Sequence, residues 1–98
     1  MKRLENKVAI ITGAARGIGF SIAEKLSEHG ATSIIIDLNK EVVDAAVQKI
    51  DDMGNRAIGF SADVTNSEEI ASIFKEIHKE FGKIDLLINN AGITKDGL

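Results

Sequence analysis

The stretch KVAIITGAARGIG, residues 7–19, decides the fold. Residues 7–12 are mostly apolar and rich in β-branched side chains, which predicts a short strand buried on both faces. Three glycines follow within residues 13–19. Apolar side chains then recur at helical spacing, at Ile18, Ile22, Ala23 and Leu26. Gly30 is placed to end that helix, so the stretch predicts a strand, a glycine loop and a helix in that order.

The rest of the chain repeats this alternation. Strands are predicted over residues 33–36, 57–61 and 85–89, and Gly59 weakens the second of these. Asn39 is placed to cap a second helix, whose apolar face is Val42, Val43, Ala46, Val47, Ile50 and Met53. Thr65 and Glu68 match a capping box for a third helix that ends at Gly82. The apolar stripe of this helix is Ile70, Ile73, Phe74, Ile77 and Phe81.

Alternating strands and helices of this length predict an α/β fold with a parallel sheet, right-handed crossovers and helices on both faces. In the Rossmann-type doubly wound arrangement the strand order is 3-2-1-4, with strand 1 in the centre. The chain then forms the N-terminal half of such a fold, as one domain over residues 1–98. The order changes direction between strands 1 and 4, which places the ligand crevice beside residues 12–19 and 89–92.

Composition excludes several function classes. The 98 residues carry a net charge of −3 with mixed signs, which gives no electrostatic support for nucleic-acid binding. No cysteine is present, and the two histidines lie far apart without a ligand cluster, so no metal site is predicted. No apolar run approaches the ~20 residues of a membrane span. A cytoplasmic protein without a membrane partner is expected.

A glycine loop between a strand and a helix points backbone N–H groups and the positive helix end at an anion, typically a diphosphate. In this interpretation Gly13 permits the sharp exit from the strand, Gly17 the close approach of phosphates, and Gly19 tight packing. The spacing Gly-x3-Gly-x-Gly departs from the common dinucleotide fingerprint and lacks the Lys-Ser/Thr of a P-loop, so a plain tight turn remains an alternative.

Asp37 strengthens the dinucleotide interpretation. It ends the second predicted strand 18 residues after Gly19, close to the offset at which an acidic residue meets the ribose hydroxyls of adenosine. The alternative is that Asp37 begins a turn or caps the following helix.

Four motifs in this order resemble the short-chain dehydrogenase/reductase family over the whole chain: TGAARGIG at 12–19, Asp37, ADV at 62–64 and NNAG at 89–92. Within that family, the segment NNAGITKDGL at 89–98 is most similar to the 3-oxoacyl-[acyl-carrier-protein] reductase branch. The resemblance implies a dinucleotide whose diphosphate lies over residues 13–19, with the Ile18 amide among its donors, and whose adenosine ribose meets Asp37.

The resemblance also implies an adenine site. The Asp63 carboxylate would accept a hydrogen bond from the adenine amino group and the Val64 amide would reach a ring nitrogen, although Asp63 could instead cap the third helix. Asn90, Ala91 and Gly92 would flank ribose and adenine, while Asn89 and Asn90 brace the sheet. The implied cofactor-binding set is Gly13, Ala15, Arg16, Gly17, Ile18, Gly19, Asp37, Leu38, Asp63, Val64, Asn90, Ala91 and Gly92.

The choice between NAD and NADP depends on two residues of opposite charge. The resemblance implies that a carboxylate at Asp37 marks NAD use, whereas a basic residue at Arg16 pairs with the 2′-phosphate of NADP. Repulsion between Asp37 and a phosphate at hydrogen-bond distance should exceed the attraction of a flexible, solvated arginine. We therefore predict a preference for NAD, with NADP as the alternative.

Catalysis in the family uses a Tyr, a nearby Lys and a Ser, and these 98 residues contain no Tyr. We predict the cofactor-binding half of an oxidoreductase that transfers hydride between nicotinamide and a 3-oxoacyl thioester or small ketone or alcohol, inactive by itself. The alternatives are a non-catalytic adenine-nucleotide-binding module and a self-associating structural fragment. Strand 85–89 carries few of the charges that protect sheet edges, so self-association is predicted.

Overall fold

The computed structural model describes residues 3–90. Four strands and three helices alternate along them, namely β1 Val8–Thr12, α1 Gly17–Glu28, β2 Thr32–Asp37, α2 Lys40–Asp52, β3 Arg56–Ser61, α3 Ser67–Phe81 and β4 Leu86–Asn89. All strand pairs are parallel, and their order is β3-β2-β1-β4. The predicted α/β fold of Rossmann type and its strand order are confirmed.

The central strand β1 is buried along its whole length because helices cover both faces of the sheet. On one face, Ile11 and Ile35 pack with Val43 and Ile50 from α2 and with Ala23 from α1. On the other face, Ile10, Ile34 and Ile36 pack against Ile77, and the rest of the predicted stripe of α3 joins them half-buried. Alternate β1 side chains thus serve two different cores, as strand geometry requires.

The register brings the carboxyl ends of the strands to one edge of the sheet. Thr12 lies beside Ile36 of β2 and Asn89 of β4, and Asp37 lies beside Ser61 of β3. The segments that follow β1, β2, β3 and β4 therefore start from neighbouring positions. This edge is where the sequence predicts a ligand crevice.

The predicted capping box at the start of α3 is wrong. The N-cap is Asn66, whose Oδ1 accepts hydrogen bonds from the Glu68 and Glu69 amides, both at 3.1 Å. Thr65 lies one residue earlier and donates to Asp63 instead. Thr65 and Asn66 are both good cap formers. Asn66 is the cap because its side chain also donates to Glu69 at 3.0 Å.

One further prediction about α2 needs correction. Met53 is not part of the apolar face of α2, because it is the C-cap residue and 44% exposed. Gly59, which the sequence predicts to weaken the third strand, also makes room for α2 in the structure. A Cβ atom there would collide with Val43 Cγ1 and lie 2.9 Å from Val47 Cγ2.

Candidate functional site

Helix α1 begins without the side-chain cap that the other two described helices have. Asn39 and Asn66 accept hydrogen bonds from the first turns of α2 and α3, and acidic residues lie in both turns. At α1 the N-cap is Arg16, whose side chain makes no capping bond, and the first turn holds no acidic residue. No side chain among residues 3–90 therefore competes with an anion for this positive helix end.

The glycine loop has a backbone shape that only glycine adopts easily. Gly17, the first residue of α1, has φ +64°, and an added Cβ would meet no atom within 4 Å. Its outer side is thus open, so a diphosphate could approach the backbone closely. Gly19 is the opposite case. A Cβ there would collide with the Gly13 carbonyl oxygen and lie 2.7 Å from Asn90 Nδ2.

Side chains from β4 brace the loop. Thr12 Oγ1 donates to Asn89 Oδ1 at 2.9 Å, and Asn90 Nδ2 donates to the Gly13 carbonyl oxygen at 3.1 Å. The sequence predicts that both asparagines brace the sheet. Asn89 does so by joining β4 to β1, whereas Asn90 bonds to the glycine loop. These bonds tie the end of β4 to the start of the glycine loop, so the loop is held from the side on which the strand order reverses.

The Asp37 carboxylate holds the loop from the other side. Its Oδ2 accepts a hydrogen bond from the Ala15 amide at 3.0 Å, and its Oδ1 accepts one from the Leu38 amide at 2.8 Å. Asn39, not Asp37, caps α2. Asp37 is therefore a contact between β2 and the glycine loop. Each carboxylate oxygen keeps a further lone pair with which it could accept from a ribose hydroxyl.

Asp63 lies in a tight turn after β3. Its Oδ1 accepts hydrogen bonds from the hydroxyl and the amide of Thr65, at 2.7 and 2.9 Å. These two bonds, the hydroxyl's above all, lower the pKa of the Asp63 carboxyl. Asp63 does not cap α3, because Asn66 does. The carboxylate therefore stays ionised and can accept a hydrogen bond from an amino group.

A cavity of about 130 Å³ lies between these strand ends. It is lined by Gly13, Asp37, Leu38, Ala62, Asp63 and Val64. Residues from after β1, β2 and β3 thus meet around one space that presents two carboxylates. Gly17 and Ile18 instead line a wider, open groove of about 750 Å³ along α1, and Arg16 is exposed.

Comparison with known proteins agrees with this geometry. A model of the short chain dehydrogenase family matches residues 7–98. The chain belongs to the short chain dehydrogenase family. The resemblance noted in the sequence is confirmed.

Individual members of the family are similar in sequence and structure. The 3-oxoacyl-[acyl-carrier-protein] reductase FabG of Vibrio cholerae serotype O1 is 47% identical over 95 residues, which are 97% of this chain and 38% of the relative. A metagenomic short-chain oxidoreductase in complex with NADP superposes with a TM-score of 0.88 at 36% identity, over 92% of this chain and 41% of that one. An NAD+-bound xylitol dehydrogenase superposes with a TM-score of 0.83 at 32% identity, over 88% of this chain and 33% of that one. The short chain dehydrogenase family thus uses either dinucleotide.

The structure places eleven of the thirteen predicted site residues of this short chain dehydrogenase, and Ala91 and Gly92 lie outside the described residues. Gly13, Asp37, Leu38, Asp63 and Val64 surround the cavity. Arg16, Gly17 and Ile18 lie apart from it, at the exposed start of α1. The sequence reasoning does not predict two residues of this site. Ala62 lines the cavity, and Thr65 donates to Asp63 instead of capping α3, which the Asp-x-Thr turn signal could have indicated.

In the described part of the chain, no helix has the length and apolar character that crossing a membrane requires. Residues 3–90 also contain no group of three potential metal-ligating side chains.

Proposed function

We propose that this chain is the dinucleotide-binding half of a short chain dehydrogenase, and that its residues form a single cofactor-binding domain. The chain spans 38% of the curated Vibrio cholerae relative. In the proposal, the complete enzyme transfers a hydride between nicotinamide and a carbonyl or alcohol. The names of the similar reductases support a 3-oxoacyl thioester as substrate, and a small ketone or alcohol is the alternative.

The observation that carries the proposal is the contrast at the start of α1. Of the three helices within residues 3–90, α2 and α3 have an Asn cap and acidic first-turn residues, whereas α1 has neither. The same turn begins at Gly17, whose outer side is open. A bound diphosphate would accept hydrogen bonds from these amides, and the ribose and adenine would reach Asp37 and Asp63. We propose the thirteen residues predicted from the sequence as the cofactor contacts.

We further propose that the preferred cofactor is NAD. The hydrogen bond that Asp37 accepts from the Ala15 amide fixes the carboxylate beside the glycine loop, where a 2′-phosphate would meet its negative charge. Arg16 is exposed and forms no ion pair among residues 3–90, so it would attract a 2′-phosphate only weakly across solvent. In this proposal, repulsion of a 2′-phosphate by Asp37 therefore exceeds its attraction by Arg16.

In this proposal the chain's own residues bind and orient the cofactor, and the bound nicotinamide supplies the hydride chemistry. The Tyr on which family catalysis depends is not among the 98 residues. We accordingly expect no dehydrogenase turnover from the chain alone. Its residues hold the diphosphate at the positive end of α1 and fix the adenosine half by hydrogen bonds.

Calorimetric titration of the chain with NAD, NADP and AMP tests the proposal. We expect binding of NAD and AMP, with NADP weaker. The control variant is Lys79→Glu, an exposed position in the last turn of α3 that does not line the cavity, which should leave the affinities unchanged. Absence of binding by all three nucleotides would favour the second candidate, a structural fragment whose glycines serve as turns.

Self-association is the remaining part of the proposal. Strand β4 is at the edge of the described sheet, and Leu86 and Leu87 are 37% and 55% exposed. An apolar edge of this kind pairs readily with another strand. A chain in which this edge is uncovered should therefore associate with a second copy.

A further inference from the structure

The turn between β3 and α3 contains a residue that acts on the proposed adenine contact without touching the cavity. Thr65 gives Asp63 both of its donors, its amide at 2.9 Å and its hydroxyl at 2.7 Å, and both reach the same oxygen, Oδ1. Two bonds from one residue fix the torsion of the carboxylate far better than one bond would.

Asp63 Oδ2 is left for another partner. Among residues 3–90, no donor reaches this oxygen, although Asp63 lines the cavity between the strand ends. Asp63 is exposed, so solvent alone would let an unrestrained carboxylate rotate among its rotamers. Holding Oδ1 in place therefore keeps Oδ2 in a fixed position as an acceptor on a residue that lines the cavity.

A fixed carboxylate oxygen distinguishes between purine bases. The six-position amino group of adenine donates hydrogen bonds, whereas the six-position oxygen of hypoxanthine is an acceptor and would be repelled by the charge. This step rests on the proposed function, in which Asp63 faces adenine.

We propose that Thr65 is a positioning residue for base selection: its hydroxyl orients the Asp63 carboxylate so that the site takes dinucleotides with an amino-bearing purine. Thr65 does not cap α3, since Asn66 does, so this role is separable from helix stability. The lowered pKa of Asp63 is consistent with the role, because it keeps the carboxylate ionised.

The test compares the binding of NAD with that of its deamino analogue, nicotinamide hypoxanthine dinucleotide, by calorimetry. Thr65→Val has the same shape as threonine and keeps the amide but not the hydroxyl. We expect its preference for NAD over the analogue to fall about 3- to 10-fold, the value of one net hydrogen bond. Thr65→Ser restores the hydroxyl and should keep the wild-type preference.

A double-mutant cycle with Asp63→Ala separates positioning from general damage. If Thr65 acts through Asp63, adding Thr65→Val to Asp63→Ala should change neither affinity further. An unchanged preference in Thr65→Val, or an equal loss in the Asp63→Ala background, would overturn the inference. Failure of the wild-type chain to bind either dinucleotide would instead overturn the proposed function on which the inference rests.

Discussion

In the proposed function, Asp37 affects both cofactor choice and loop shape, because its carboxylate holds the glycine loop and the residue lines the cavity. Asp37→Ala removes its charge and releases the amides of Ala15 and Leu38. Both changes favour a 2′-phosphate, so we expect the NADP-to-NAD affinity ratio to rise about tenfold or more in a cofactor titration. Adding Arg16→Ala should reduce that gain. A ratio unchanged by Asp37→Ala would rule out the assignment.

Gly17 and Gly19 require glycine for different reasons, backbone conformation at Gly17 and lack of space for a Cβ at Gly19. Gly19→Ala would press a methyl group into the Gly13 carbonyl and the Asn90 side chain. We expect a loss of about 1–3 kcal/mol in the free energy of unfolding, as for other overpacked sites. Gly17→Ala is the control, because only its φ of +64° opposes the substitution, at a cost of about 1 kcal/mol. Urea denaturation measures both, and equal midpoints for the two variants would contradict the packing argument.

At the scale of the elements, the start of α3 depends on Asn66. Asn66→Ala removes the acceptor for two backbone amides, so we expect the free energy of unfolding to fall by about 1 kcal/mol. Ser67→Ala, at the next position, removes a hydroxyl that makes no hydrogen bond among residues 3–90 and is the control. Thermal unfolding followed by circular dichroism compares them. A larger effect for Ser67→Ala would mean that the cap is misassigned.

The opposite end of β1 and β4 is held by Asp85, whose stabilising effect depends on pH. Its Oδ2 accepts from the Val8 amide at 2.8 Å and lies 3.3 Å from Lys83 Nζ. The Val8 bond, with help from Lys83 and Lys7, lowers the pKa of Asp85 in the folded state. The stabilisation is therefore present above the unfolded pKa of ~3.9 and is lost as pH falls through the lower folded pKa.

Asp85→Asn should consequently destabilise the chain at about pH 7. The difference from wild type should shrink as the pH falls below the unfolded carboxyl pKa of ~3.9 and disappear only below the lower folded pKa, where Asp85 is uncharged as well. Urea midpoints at about pH 7 and along a series of acidic pH values measure this. Lys83→Ala removes only the weaker contact and should have a smaller effect at pH 7. A difference that stays constant with pH would show that the charge of Asp85 contributes nothing.

How far the sequence predicts these elements depends on how local their causes are. Periodic apolar residues, Asn39 and Gly82 predict helix existence and several ends correctly, since each acts within one or two turns. The sequence wrongly predicts Thr65 as the cap of α3, because Thr65 and Asn66 are adjacent cap formers and the choice between them depends on which acceptor is nearby. The need for Gly59 and the contact of Asp37 with Ala15 arise from elements distant in the chain, and no local pattern encodes them.

At the scale of the whole molecule, β4 forms an edge of the sheet that no other strand among residues 3–90 covers. Leu87 pairs with Ile10 on one side and is 55% exposed. We expect the chain to sediment as an oligomer at ~100 μM, because exposed apolar edges associate. Leu87→Lys should shift it toward monomer, whereas Met53→Lys, an exposed apolar site at the end of α2, should not. A stable monomer for the wild-type chain would contradict this expectation.

The strand order also implies the order in which the strands join the sheet during folding. Val8 pairs with Thr32 and Thr32 with Arg56, whereas the contact of Thr12 with Asn89 spans 77 residues. Because closing a longer loop costs more entropy and distant contacts form late, β4 should dock last during folding. Asn89 and Asn90 arrive with it, so a nascent chain that has not yet exposed residue 90 has a glycine loop that Asp37 holds but that lacks the bonds from the two asparagines. We therefore expect the growing polypeptide to bind a nucleotide only after β4 has joined the sheet.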